Sequence, residues 1–301
     1  MSAPVEMIAL EQEAPPAPVM GGGFWRASLR RLAANRLGVL CGLVIVVIAL
    51  LGICAPLLTD MDPNKTDLAN TFATPGGAHL LGTDDLGRDV FARLLYGTRV
   101  SLGVALLSVL IALTVGTTVG LVAAYYGRWV DEVLMRVVDM LLAIPPVFLF
   151  ILIAILIQPG VVTLAAIIAF VFWAPMSRLV RSEALSIKER DYVLAARLIG
   201  ASDRRLLVRH ILPNVLPIVI VAASLAMAEV MLVEAALDFL GLGIHPPTAS
   251  WGNMLTNAQN YFGPAPFLVI VPGAVIFVAV LAANLFGNAV RDAFDPRLRN
   301  R

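Results

Sequence analysis

The chain has 301 residues, 59% of them hydrophobic and only 14% charged, with a mean hydropathy of +0.86 and a formal net charge of +1. That composition excludes a soluble domain; the net charge itself says nothing about nucleic acid, but the basic residues lie where membrane topology alone would place them, which leaves no nucleic-acid reading. Apolar runs long enough to cross a hydrocarbon core of about 30 Å recur along the chain, and each must be a helix, because lipid offers unpaired backbone groups no partner.

Residues 1–23, rich in Pro, Ala, Gly and acid, have the composition of a disordered tail and not of a cleavable signal peptide. From Phe24 to Arg36 the stretch FWRASLRRLAANR sets Phe24, Leu29 and Leu32 among Arg26, Arg30, Arg31 and Arg36, which suits a short helix in the plane of the interface. A solvated basic flank of the first span explains the same residues. Six spans are predicted, over 37–58, 100–125, 133–157, 161–179, 215–237 and 267–286. Of the 22 Lys and Arg, all but Lys65, Arg88, Arg93 and Arg99 fall in the amino-terminal segment, the second and fourth loops and the tail, so both termini are predicted to be cytoplasmic. Cys41 and Cys54 share the first span and lie about 20 Å apart along one helix, too far for a disulfide.

The external segment 59–98 divides in two. Pro63, Pro75, Gly76 and Gly77 make 60–78 a loop, and an amphipathic helix capped by Asp84 or Asp85 follows, with Val90, Phe91, Leu94 and Leu95 on its apolar face, to gate the outer mouth or to pack against it. In the third span Pro145 and Pro146 remove two donors, so the helix is predicted to kink or break there, which is either a plain structural kink or part of a translocation path. Three ionisable residues inside spans are functional candidates on cost alone: Asp139, which Arg178 can pair, and Glu229 and Glu234, whose spacing of five puts them on different sides of the fifth span.

The segment 181–217 is charged and helix-forming between two apolar spans. Residues 183–199 are predicted helical up to Gly200, with Ala201, Ser202 and Asp203 as candidate caps of a second helix that stops at Pro213. Ala195 and Ala196 are small enough to let another chain approach closely, and Arg197, Arg204, Arg205 and Arg209 surround them with positive charge. An ordinary basic loop needs no capped helical hairpin, so the segment reads as a socket for another protein. The last external loop, 241–266, carries Trp251 and Tyr261 and closes the outer end of the bundle or touches an external protein.

Leu194-Ala195-Ala196, then Gly200, then Ile211-Leu212-Pro213-Asn214 resemble the cytoplasmic loop of bacterial ABC-importer permeases, with Leu194 where that family carries Glu. HLLGTDDLGRDVFARLLYGTRVSL, DMLLAIPPVF, EAALDFLGLGIHPPTASWGNML and the closing DAFDPRLRN resemble, more narrowly, the second permease subunit of dipeptide, oligopeptide and nickel importers. The resemblance implies an all-α membrane protein with six transmembrane helices, the type I ABC importer transmembrane domain, in a bacterial inner (cytoplasmic) membrane. An interfacial helix and first span (24–58) would be followed by the external segment (59–98), a five-helix core (99–290) with its coupling loop (182–213), and a cytoplasmic tail (291–301). The implied partners are a homologous second permease, two ABC ATPase subunits, an external substrate-binding protein and membrane lipid. The implied ATPase-coupling residues are Tyr192, Ala195, Ala196, Arg197, Gly200, Ala201, Ser202, Leu212 and Pro213, beside the pore or gating candidates Asp139, Pro145, Pro146, Glu229 and Glu234. Peptides are the commonest implied cargo, with nickel, glutathione and some sugars as others.

The residues support that division of labour independently. A phosphate loop needs Gly-Lys followed by Ser or Thr, and neither Lys65 nor Lys188 fits, so no cofactor is expected in this chain and ATP with Mg would be bound by the partner ATPase. His79, His210 and His245 fall in loops without ligand spacing, which argues against a metal centre or an intramembrane enzyme. A stand-alone secondary transporter of small solutes is the alternative, though one Pro-Pro break without a counterpart is a poor match to paired broken helices.

Overall fold

The computed structural model describes residues 22–157 and 159–295. Most of the predicted disordered tail, 1–21, and residues 296–301 of the predicted carboxy-terminal tail lie outside the described residues. Among the described residues the chain has no β-strand, and in order its helices are α1 (Gly22–Ala34), α2 (Arg36–Ile53), α3 (Ala55–Leu58), α4 (Val90–Tyr126), α5 (Arg128–Leu142), α6 (Pro146–Leu156), α7 (Val161–Lys188), α8 (Asp191–Leu198), α9 (Asp203–Arg205), α10 (Leu212–Phe239), α11 (Ala258–Tyr261) and α12 (Phe267–Phe294). Five helical stretches are long and apolar enough to cross a membrane, and the bent pair α5–α6 makes a sixth. This is a multi-pass, all-α membrane protein.

Asn35 separates the first two helices, because its side chain accepts from the Gly38 amide at 2.9 Å and caps α2. The expected interfacial helix exists as α1, but its apolar side does not simply face lipid. Phe24 and Trp25 meet the Phe294 ring edge-on at 6.1 and 5.7 Å, and Leu32 joins that cluster, while Leu29 stays exposed. The amino-terminal helix is thereby held to the carboxy-terminal one.

The predicted external amphipathic helix is not a separate element. Asp89, not Asp84 or Asp85, caps it, accepting from the Ala92 amide at 2.7 Å, and the helix runs unbroken for 37 residues into the second span. At 1.5 Å per residue α4 is about 55 Å long, more than the bilayer's full thickness requires. Asp84 instead ties a loop, accepting from the Leu86 and Arg88 amides at 2.9 Å and from Arg88 Nε at 2.7 Å. Phe72 and Leu81 of this segment pack with Val90, Ala265 and Leu268, so 59–89 and 241–266 together cap one end of the bundle.

At the predicted proline break α5 and α6 meet at 85°. Pro145 and Pro146 have no N–H to return to the carbonyls one turn earlier, and Ile144 supplies only a long 3.3 Å bond to the Leu141 oxygen. The predicted single helix over 183–199 is two: α7 continues the fourth span to Lys188, and α8 begins at Asp191. The predicted stop at Pro213 does not occur either. A π-helical stretch, Leu206–Ile211, lies between α9 and α10, with the Leu212 amide reaching the Leu207 oxygen. The widened turn makes room for a proline that an α-helix would reject, and the chain stays helical from Asp203 to Phe239.

The most extensive helix pairing is α4 against α7. Its close approach depends on Gly116 and Gly120, a small-xxx-small pair that lets two backbones touch. A Cβ on Gly120 would lie 2.5 Å from the Ser177 carbonyl oxygen, and one on Gly116 would lie 2.8 Å from the Trp173 oxygen. Gly120→Leu is expected to lower unfolding stability in detergent by about 3 kcal/mol, because the obstacle is backbone and cannot swing aside. Gly103 on the same helix faces open space, so Gly103→Ala should leave stability unchanged or raise it by up to about 1 kcal/mol, alanine being the better helix former. Equal denaturation midpoints for Gly120→Leu and the parent would contradict this packing.

Candidate docking hairpin and buried carboxylates

The 189–211 segment is a rigid hairpin and not a loose loop. Gly200 has φ +85°, its amide bonds the Arg197 oxygen at 3.0 Å, and the Ala201 amide bonds the Ala196 oxygen at 3.1 Å, the paired bonds of a glycine helix stop. Ser202 occupies the following cap position without a side-chain bond, and Asp203 does not cap at all. Its carboxylate accepts from the Tyr125 hydroxyl at 2.5 Å.

Tyr125, at the end of α4, is the residue that sequence reasoning missed. The Lys188 ammonium and the Arg197 guanidinium each lie 5.7 Å from its ring centre. Lys188 also donates to the carbonyls of Ala124 at 3.0 Å and Tyr125 at 2.6 Å, meeting the negative end of α4 with a cation. One side chain thus joins α4, the end of α7, α8 and α9. Only its place beside Gly127 at a span's end hinted at a role.

The hairpin has two apolar sides. Val193 and Ala196 turn inward onto Ile187, Leu206 and Ile211, so Ala196 is part of this chain's own core and does not offer a small surface to a partner. The reason is helical phase: 193 and 196 share a face, and 194, 195, 198 and 199 share the other. On that outer side Leu194 is partly exposed, Leu198 is 88% exposed and Ile199 87%. Ala195, Arg197, Gly200 and Ser202 are exposed too, while Tyr192, Ala201, Leu212 and Pro213 are half-buried where the hairpin joins the spans. Burial pushes the Tyr192 phenol up from its usual range.

The predicted intramembrane acids fall into three environments. Asp139 on α5 is bonded to Arg178 on α7, as expected, and a second pair joins the same helices, Arg181 donating through Nε and Nη2 to the two carboxylate oxygens of Asp131. Glu229 is exposed. Glu234 is buried, and with Asp238 one turn on it faces the opposite end of the bundle from the hairpin. Ser101 Oγ donates to Glu234 at 2.8 Å and accepts from the Trp251 amide at 3.1 Å, and the Trp251 ring nitrogen donates to Thr98 Oγ1 at 3.1 Å. Asp238 accepts from the Ile244 amide at 2.6 Å and from the Ser250 hydroxyl. Gly243 and Gly252 permit this, since a Cβ on either would collide with Asp238. The pair therefore pins the 241–256 segment to α4 and α10.

Trp251 is buried, which makes it part of the bundle's closure, and Tyr261 is half-buried beside Asp85. Burial first, then the Asp85 carboxylate, pushes that phenol up to about 12. Among the described residues no cluster of three or more His, Cys, Asp or Glu could hold a metal ion.

A family model described as "binding-protein-dependent transport system inner membrane component" matches residues 116–300, and one described as the N-terminal TM domain of oligopeptide transport permease C matches residues 23–75. The chain is 40% identical over 276 residues to a dipeptide transport system permease protein of Alkalihalophilus pseudofirmus, covering 92% of this chain and 91% of that one. It is 41% identical over 273 residues to a putative peptide permease protein of Brucella suis biovar 1, covering 90% of each chain. A putative peptide transport system permease protein of the same organism is 40% identical over 271 residues, again 90% of each.

Proposed function

We propose, from the premise that this chain belongs to the family of binding-protein-dependent transport system inner membrane components, that it is one half of the pore of an ATP-driven importer of di- or oligopeptides. A homologous permease would supply the other half, two ABC ATPase subunits would bind ATP and Mg, and an external binding protein would deliver the peptide. Both termini and the 189–211 hairpin would face the cytoplasm of a bacterial inner membrane, in keeping with the Lys and Arg distribution.

The observation that carries this reading is the hairpin's outer side, where Leu198 and Ile199 stand 88% and 87% exposed on a backbone that Gly200, Tyr125 and Lys188 hold in place. A rigid apolar knob outside the spans is costly unless another protein covers it. Its connection explains transmission. The hairpin is the direct continuation of α7 on one side and, through the π-helical turn, of α10 on the other, so pushing it moves both spans. At the far end α10 is bonded to α4 and to the 241–256 segment through Glu234 and Asp238, which supports reading that segment as an outer closure moved by the same lever. A stand-alone transporter leaves the knob without a purpose.

Purification of the tagged chain from native membranes in mild detergent, with mass spectrometry of what remains bound, tests the assembly. A second six-span permease and two ATPase subunits in stoichiometric amounts are expected. A lone chain or homodimer, reproducible across detergents, would defeat the reading.

A further inference from the structure

Glu229 is the intramembrane acid that none of these contacts uses. It lies 17 residues past Leu212 and ten before Phe239, about 25 Å and 15 Å along α10, deep within the span. It sits some 140° around the helix from Glu234, so it is turned away from the buried pair. With Ala226 and Val233 on α10, Phe172 and Pro175 on α7 and Pro146 at the α5–α6 break, it lines a cavity of about 590 Å³. Glu229 is the one ionisable group among the described residues lining that cavity, and it has no ion pair or hydrogen bond among the described residues. Arg178, next to the cavity-lining Leu179, is already bonded to Asp139.

A carboxylate at this depth faces water, cargo or a partner charge, because hydrocarbon penalises it heavily. We infer that Glu229 is the binding point for the protonated amino terminus of a peptide passing along this cavity, an inference that rests on the peptide-importer reading above. Charge complementarity selects the ligand: a lone carboxylate among apolar walls favours a cation and repels a free carboxylate. The side chains of the walls carry nothing that would read individual residues by hydrogen bonding, so the amino terminus is the one positive charge common to every peptide that they admit. The break leaves the Leu142 carbonyl without its usual helical donor, since Pro146 has no N–H to return to it, and Leu142 is among the residues that line the same cavity. A single charged contact also suits a path, holding cargo firmly enough to enter and weakly enough to leave.

The test uses the complete transporter in proteoliposomes with its binding protein and ATP inside. The probe is an equimolar mixture of dipeptides with neutral side chains, read inside the vesicles by mass spectrometry. Glu229→Gln is expected to lower uptake about tenfold, with Glu229→Asp retaining at least a third of it, while ATP hydrolysis stimulated by loaded binding protein stays within twofold of the parent. Uptake unchanged in Glu229→Gln would overturn the inference. So would loss of the second permease from the purified Glu229→Gln complex, which would assign the acid to a basic residue of that partner. No uptake of the mixture by the parent transporter would instead overturn the peptide reading on which the inference stands, and with it the inference.

Discussion

Leu198→Glu combined with Ile199→Glu is expected to abolish ATP-driven uptake, lowering it by at least about a hundredfold, while the inserted, folded chain remains at its normal level. Both side chains stand almost wholly clear of this chain, so their replacement removes nothing from its own core. If an ATPase buries them, each contributes about 1.5–3 kcal/mol of apolar burial, about 3–6 kcal/mol together, or roughly 10²–10⁴ in affinity. Two carboxylates forced into that contact add desolvation cost in the same direction. The check is the amount of ATPase that copurifies with the variant, set beside uptake. Full retention of the ATPase would show that the knob is not the socket. Ala196→Trp would be a poor substitute for this experiment, because Ala196 packs against Ile187, Leu206 and Ile211 and a bulky ring there would damage the hairpin itself.

The second large effect is expected at the other end. Asp238→Ala removes the acceptor of the Ile244 amide and of the Ser250 hydroxyl at a buried position. Hydrogen bonds to a charged group contribute about 1.5–3 kcal/mol each, so the 241–256 segment should lose about 3–6 kcal/mol of its hold on α10. Amide exchange in that segment should accelerate by about a hundredfold or more, while α4 and α7 exchange as before. Asp238→Asn keeps one oxygen for the Ile244 amide and should show a smaller acceleration, which separates loss of these bonds from general damage. Exchange in 241–256 within threefold of the parent in Asp238→Ala would mean that the segment is held by other contacts. If the segment closes the outer end, the same variant should hydrolyse ATP with reduced uptake.

Features set by neighbouring residues were legible in the sequence. The six spans follow from apolar length, because in lipid a helix is the only way for such a run to satisfy its backbone. The break at Pro145 and Pro146 follows from two missing donors, the helix stop at Gly200 from a left-handed φ, and the opposed positions of Glu229 and Glu234 from their spacing. The Asp139–Arg178 bond was inferred from two charges at matching depth on successive spans.

Features set by distant residues were not. Nothing near Glu234 announces Ser101, 133 residues earlier, and nothing near Tyr125 announces Asp203, 78 later. Asp84 and Asp85 read as caps in the sequence, but the loop that Arg88 and Arg93 build around Asp84 engages that carboxylate and leaves the cap to Asp89. Pro213 reads as a stop until the π-helical turn before it makes room. The facing of the Gly116–Gly120 pair was hidden for a further reason. In a soluble protein the polar side of a helix reveals the inner one, but lipid is as apolar as a protein core, so a membrane helix shows no such contrast. The sequence by itself therefore determined how many spans there are and that the third breaks at its prolines, because apolar length and missing donors are local properties, whereas the tertiary structure decided where the extramembrane helices start and stop and which face of each helix meets a partner.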